Sequence, residues 1–99
     1  MILLQMNFGY PKEAMGDALT ENGRGLAESI NQEPGFISKV WIENAETEES
    51  GGIYMFDTLE NAQNYAKMHV ERAKSIGATN IEIKYFNVNE PLSKLNRGI

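Results

Sequence analysis

The sequence predicts an α+β domain, an antiparallel sheet of four strands with two helices on one of its faces, in the chain order β-α-β-β-α-β. Three observations carry that reading. Four short runs alternate residue by residue, as strands do. Two longer runs place apolar residues at three- and four-residue steps, as helices do. Glycine and proline clusters stand between these runs and punctuate them. With 99 residues the chain has the length of a single domain, 1–99, and no internal linker or low-complexity tract divides it.

The first strand is Ile2 to Phe8, in which Ile2, Leu4, Met6 and Phe8 share an apolar face while Leu3, Gln5 and Asn7 share a mixed one. Gly9-Tyr10-Pro11 ends it, and Pro11 suits the first turn of a helix. Met15, Ala18, Leu19, Leu26, Ala27 and Ile30 then form a helical stripe. A kink or break is expected near Gly23-Arg24-Gly25, because an interior glycine costs about 1 kcal/mol against alanine. Glu33-Pro34-Gly35 stops the helix, since Pro34 lacks an amide hydrogen and disfavours helical geometry in Glu33. The second strand, Phe36 to Glu43, sets Phe36, Ser38, Val40 and Ile42 against Ile37, Lys39, Trp41 and Glu43. A polar, acidic stretch leads to the third strand, Ile53-Tyr54-Met55-Phe56, in a hairpin closed by Gly51-Gly52. Asp57 or Thr58 can cap the second helix, whose inner stripe is Leu59, Ala62, Tyr65, Ala66, His69, Ala73 and Ile76, and Gly77 can end it. Ile81 to Val88 is the fourth strand, and the tail 89–99 carries Pro91, Leu92 and Leu95. This order is the ferredoxin-like, or split βαβ, arrangement.

Composition excludes several chemistries. There is no cysteine, so thiolate-ligated metal sites and disulfides are ruled out, and His69, the single histidine, cannot form a multi-histidine metal site within one chain. No metal and no cofactor is expected. Fourteen acidic residues against nine basic ones give a net charge of −5, the opposite of the basic footprint that nucleic-acid binding needs. No apolar run is long enough to span a membrane, so a cytoplasmic protein is expected. Gly23-Arg24-Gly25 lacks the third glycine and the preceding strand of a dinucleotide loop, and Glu43, Glu46, Glu48 and Glu49 read as a solvated hairpin tip.

Two helices can cover only one face of such a sheet, yet large side chains fall on both strand faces: Leu4, Met6 and Phe8 on one, and Leu3, Trp41 and Tyr54 assigned to the other. Leaving them in water forgoes roughly 1.5–3 kcal/mol per side chain. A face-to-face homodimer is the economical solution.

Ser29-Ile30-Asn31-Gln32-Glu33-Pro34-Gly35-Phe36, Lys39-Val40-Trp41, Gly51-Gly52-Ile53-Tyr54 with Phe56, and Asn87-Val88-Asn89-Glu90-Pro91-Leu92-Ser93 resemble the YdhR-type monooxygenase family over nearly the whole chain. That family is related to the antibiotic-biosynthesis monooxygenases and belongs to the dimeric α+β barrel superfamily. The resemblance implies two ferredoxin-like sheets meeting face to face. It also implies a cofactor-independent oxygenase acting on an aromatic or polyketide-like small molecule. The tail 89–99 is expected to latch across the partner subunit.

An oxygenase of this kind needs a proton acceptor, donors for the resulting anion and an apolar cavity. His69 is the side chain whose ordinary pKa lies near neutrality, and it is assigned the proton transfer; a packed structural histidine is the competing reading. Trp41 and Asn7 join it as catalytic candidates, while Tyr54, Tyr65, Arg72 and Gln5 are candidates for binding substrate. Trp41 and Tyr54 are expected beside Gln5 and Asn7. Two other functions compete. Haem-degrading members of the superfamily use an asparagine on the first strand and a histidine on the second helix, elements that Asn7 and His69 occupy. A non-catalytic ligand-binding or structural dimer is the other, and an occluded interface between sheet and helices would favour it.

Overall fold

The computed structural model describes all 99 residues. Strand β1 spans Ile2–Gly9, α1 Asp17–Asn22, α2 Arg24–Ile30, β2 Phe36–Asn44, β3 Glu49–Phe56, α3 Leu59–Ser75, β4 Thr79–Asn87 and α4 Glu90–Leu95. The sheet order is β2-β3-β1-β4, with every neighbouring pair antiparallel, which is the expected ferredoxin-like sheet. No helix is long and apolar enough to cross a membrane.

The first helical region is more broken than its stripe suggests. A 3-10 turn covers Lys12–Ala14 after Pro11, Gly16 adopts φ 64°, and α1 and α2 part at Gly23. Glycine at these points interrupts the helical hydrogen-bond run that the apolar spacing alone would continue. By contrast α3 is one continuous helix. The Asn61 amide donates to Thr58 Oγ1 at 3.1 Å, so Thr58 and not Asp57 is the cap. Gly77, at φ 93°, closes the other end. The tail forms α4, capped by Asn89, whose Oδ1 accepts from the Leu92 amide.

The hairpin turns earlier than expected. Residues 45–48 make the turn, with Asn44 Oδ1 accepting from the amides of Glu46 and Thr47, and Gly51 and Gly52 lie inside β3. They are glycines because of close approach. A side chain on Gly51 would collide with the Met6 carbonyl on β1, and one on Gly52 would come within 2.7 Å of Lys39 Cε and 2.9 Å of the Tyr54 ring.

Ile2, Leu4, Met6 and Phe8 face the helices and join Tyr54, Phe56, Ile30, Ala62, Tyr65, Ala66 and Ala73 in the core. Tyr54 pairs with Leu4 in register, so it belongs to this inner face. Trp41 does as well, because a bulge between Phe36 and Ser38 resets the alternation of β2 and turns Lys39 and Trp41 towards the helices. The assignment of Trp41 and Tyr54 to the uncovered face is therefore corrected. That face instead carries Leu3, Val40, Ile53, Met55 and Phe86 around Gln5 and Asn7, with Val40 62% and Phe86 48% exposed. Thr58→Ala should lower stability by about 1 kcal/mol through loss of the cap. An unchanged urea midpoint would show that Thr58 does not hold the start of α3.

Candidate functional site

Helix α3 packs against β1, β3 and β4, while the junction of α1 and α2 at Gly23 lies over Trp41 and Ile30 of α2 reaches the core, with space left beneath α1 and the start of α2. That space is a cavity of about 250 Å³. Phe8, Leu19, Leu26 and Ile76 supply apolar wall, Tyr54 and Trp41 rise from the sheet, and His69 and Arg72 descend from α3. An outer cleft of about 390 Å³, lined by Thr20, Arg24, Ala27 and Glu43, adjoins the cavity where Trp41, Leu19 and Gly23 line both.

The spacing of α3 brings Tyr65, His69 and Arg72 to its inner side, each about one turn from the next. The Tyr65 and His69 rings stack at 5.3 Å with planes 18° apart. The Tyr54 ring lies 5.3 Å from Tyr65 and meets His69 edge-on at 6.4 Å. Two buried polar side-chain atoms lack a hydrogen-bond partner, the Tyr65 hydroxyl and His69 Nδ1, and they belong to this cluster. Buried polar groups are normally paired, so these two atoms mark an unusual spot inside the aromatic cluster, with the Tyr65 hydroxyl directed at Tyr54 and away from the cavity wall.

Lys39 completes the site. Its chain crosses the bare backbone of Gly52, and Nζ stands 3.4 Å from the centroid of the Trp41 ring and 4.7 Å from that of Tyr54. No carboxylate lines the cavity, and neither Lys39 nor Arg72 forms an ion pair. Burial, reinforced by Arg72, lowers the Lys39 pKa to about 7. Burial, with Lys39 and Arg72 adding repulsion, lowers that of His69 to about 4. His69 is therefore a neutral imidazole at physiological pH, with a free electron pair but a weaker basicity than an ordinary histidine. Burial raises the pKa of Tyr54 and Tyr65, so both keep their phenolic hydrogens.

Of the residues singled out in the sequence, Trp41, Tyr54, His69 and Arg72 line this cavity, and Tyr65 stacks behind His69 in the core without reaching the wall. Gln5 and Asn7 do neither. They lie on the opposite face of the sheet, where Gln5 Nε2 donates to Asn7 Oδ1 at 3.5 Å and Asn7 Nδ2 donates to Glu49 Oε2 at 3.4 Å. Alternation within β1 puts them opposite Leu4 and Met6, and no bulge intervenes between Gln5 and Asn7 to reverse that. Lys39 was missed as a site residue. The available signal was a lysine on the same strand face as Trp41. No group of three or more His, Cys, Asp or Glu residues is placed to hold a metal ion.

His69 titrates in the fold far below its ordinary 6.5, so between those values the unfolded chain binds a proton that the folded one refuses. Stability should rise with pH from about 4 to about 6.5, His69 contributing on the order of 3 kcal/mol to the difference. Urea midpoints measured across this range should climb less steeply in His69→Leu. Equal slopes would show that the imidazole is not buried in its neutral form.

Solved structures share the fold, among them the following three. A putative antibiotic biosynthesis monooxygenase from Deinococcus radiodurans superposes with a TM-score of 0.66 at 14% identity, over 90% of this chain and 93% of that one. A monooxygenase from the ActVA-Orf6 gene of Streptomyces coelicolor, in complex with nanaomycin D, gives 0.65 at 14% identity, over 89% and 87%. A mutant of MhuD with two manganese protoporphyrin IX molecules bound per active site gives 0.64 at 18% identity, over 90% and 95%. No curated protein sequence matches the chain. The family described as "Putative mono-oxygenase ydhR" matches residues 3–99, nearly the entire length, and the chain belongs to that family.

Proposed function

We propose that this protein is a cofactor-independent monooxygenase that oxygenates an aromatic or polyketide-like small molecule in the cavity beneath α1 and α2. The observation that carries the reading is a neutral, buried imidazole beside two cations without counter-ions, inside an apolar cavity. A packed structural histidine would have its ring nitrogens satisfied; His69 Nδ1 is not.

The residues divide the work. His69 accepts a proton from an anthrone-type ring CH₂, or from the phenol that is its tautomer, Lys39 and Arg72 stabilise the resulting anion, and Tyr65 backs the His69 ring from the core. Trp41 and Tyr54 hold the ring system by aromatic contact and help to exclude water. The carbanion passes one electron to dioxygen, and superoxide and the carbon radical join as a peroxide. Loss of water from the peroxide leaves a carbonyl. One oxygen atom remains on carbon, the other leaves in water with the two ring hydrogens, and all four electrons come from the CH₂ group.

The superposition on a porphyrin-bound structure raises haem as the other ligand. That reading required Asn7 and His69 in one site, and the sheet separates them. The uncovered face is read as the meeting surface of a homodimer. Leu3, Val40, Ile53, Met55 and Phe86 offer a contiguous apolar patch, and Leu92 and Leu95 of α4, 59% and 79% exposed, are free to latch onto the partner.

Oxygen uptake with a hydroxyanthracene or anthrone substrate should fall by roughly a hundredfold or more in His69→Ala. The rate should rise with pH through about 4, where His69 loses its proton, and decline above about 7, where Lys39 loses its charge. Uptake indifferent to His69, or absent across a broad panel of such phenols, overturns the assignment. Light scattering at micromolar concentration should report two chains per particle, one chain in Phe86→Asp, and a weaker association after deletion of 90–99. A monomeric parent protein would refute the interface, and an unchanged dissociation constant after deletion would refute the latch.

A further inference from the structure

The cavity is unusual for its charge. The chain carries a net −5, yet the space between sheet and helices holds two cations and no acid. Lys39 reaches it from β2 and Arg72 from α3, two elements on opposite walls, and both are partly buried. Neither has an ion pair; the ion pairs of the chain are Met1 with Glu90 and Lys74 with Glu71, which are elsewhere. The backbone is shaped to keep Lys39 there. Any side chain at residue 52 would strike Lys39 Cε and the Tyr54 ring, so the glycine is what lets the ammonium lie over the aromatic pair.

Confining two like charges in apolar surroundings is unfavourable unless an opposite charge joins them. A phenol that becomes anionic only after deprotonation leaves both cations uncompensated throughout binding. A ligand with a permanent negative charge compensates them from the moment it enters. A carboxylate offers two oxygens, one for the ammonium and an edge for the guanidinium, whose fork matches that geometry.

We propose that the cavity binds an aromatic carboxylate, its ring against Trp41 and Tyr54 and its carboxylate held between Lys39 and Arg72. This inference deepens the reading of the cavity as the ligand site; it names the class of molecule and does not require turnover. Lys39 and Arg72 are then specificity-determining residues that select an anionic aromatic over its neutral analogue.

Isothermal titration of the full chain with hydroxynaphthoate and with the matched neutral hydroxynaphthamide tests it. The carboxylate should bind at least about tenfold more tightly, equivalent to about 1.4 kcal/mol. Lys39→Met and Arg72→Leu should each bring the ratio close to one while the amide still binds, and Lys39→Arg should retain the preference. A variant that lost its packing would bind neither probe and is thereby told apart from one that lost its selectivity. The comparison on the unsubstituted protein decides the matter without any variant. Equal or tighter binding of the amide overturns the proposal, as does failure of both probes to bind or a preference untouched by both substitutions. Oxygen uptake separates the two readings: selectivity without uptake removes the oxygenase, and uptake without selectivity removes the anion site.

Discussion

Two cations and an imidazole share one apolar cavity with no carboxylate among them, and the rest of the site follows from that constraint. Burial disfavours each charge and the neighbouring cations add to it, so His69 stays neutral and Lys39 holds its proton weakly. Of the two, Lys39, brought to about 7, is the group tuned to move a proton near neutral pH, while His69, held near 4, stays an uncharged acceptor. The same arrangement destabilises the empty protein, which therefore needs a rigid frame around it.

Helix α3 and the inner sheet face provide the frame. Leu4, Met6, Tyr54 and Phe56 are essentially inaccessible, and the rings of Phe56, Tyr54, Tyr65 and His69 follow one another at 5.3 to 6.4 Å. Stacking of that kind fixes His69 by its neighbours even though Nδ1 is unpaired. On the other side, glycines divide the first helical region into short pieces, and a cavity remains between them and the sheet. Tight packing at one end and loose packing at the other leave a cavity where a uniform pair of helices would leave none. An occluded interface, the expectation of a purely structural dimer, is not what the chain forms.

The opposite face of the sheet has a different character. Its apolar side chains surround a polar group of Gln5, Asn7 and Glu49, whose amides pair with one another and with the carboxylate. Asn7 thus has a cross-strand partner and needs no substrate to satisfy it. The two surfaces of one sheet thus differ in kind: one lines a cavity and the other presents exposed apolar side chains.

Much of this could be read from the residues in order. Alternation in Ile2 to Phe8, the stripe through Tyr65 and His69, and the stops at Pro34 and Gly77 determine the elements and their types, because periodicity and backbone sterics act locally. The family resemblance also lies in the sequence itself. Alternation says which residues of a strand share a face, but not which face meets the helices once strands from distant segments pair. For that reason the sequence places Gln5 and Asn7 with Trp41 and Tyr54 and does not single out Lys39. Only the tertiary structure decides the matter, through the bulge at Ile37 and the pairing of Tyr54 with Leu4 and of Lys39 with Tyr54. The sequence by itself determined the helices, the strands and the histidine; long-range pairing across Gly52 decided which charges the histidine would meet.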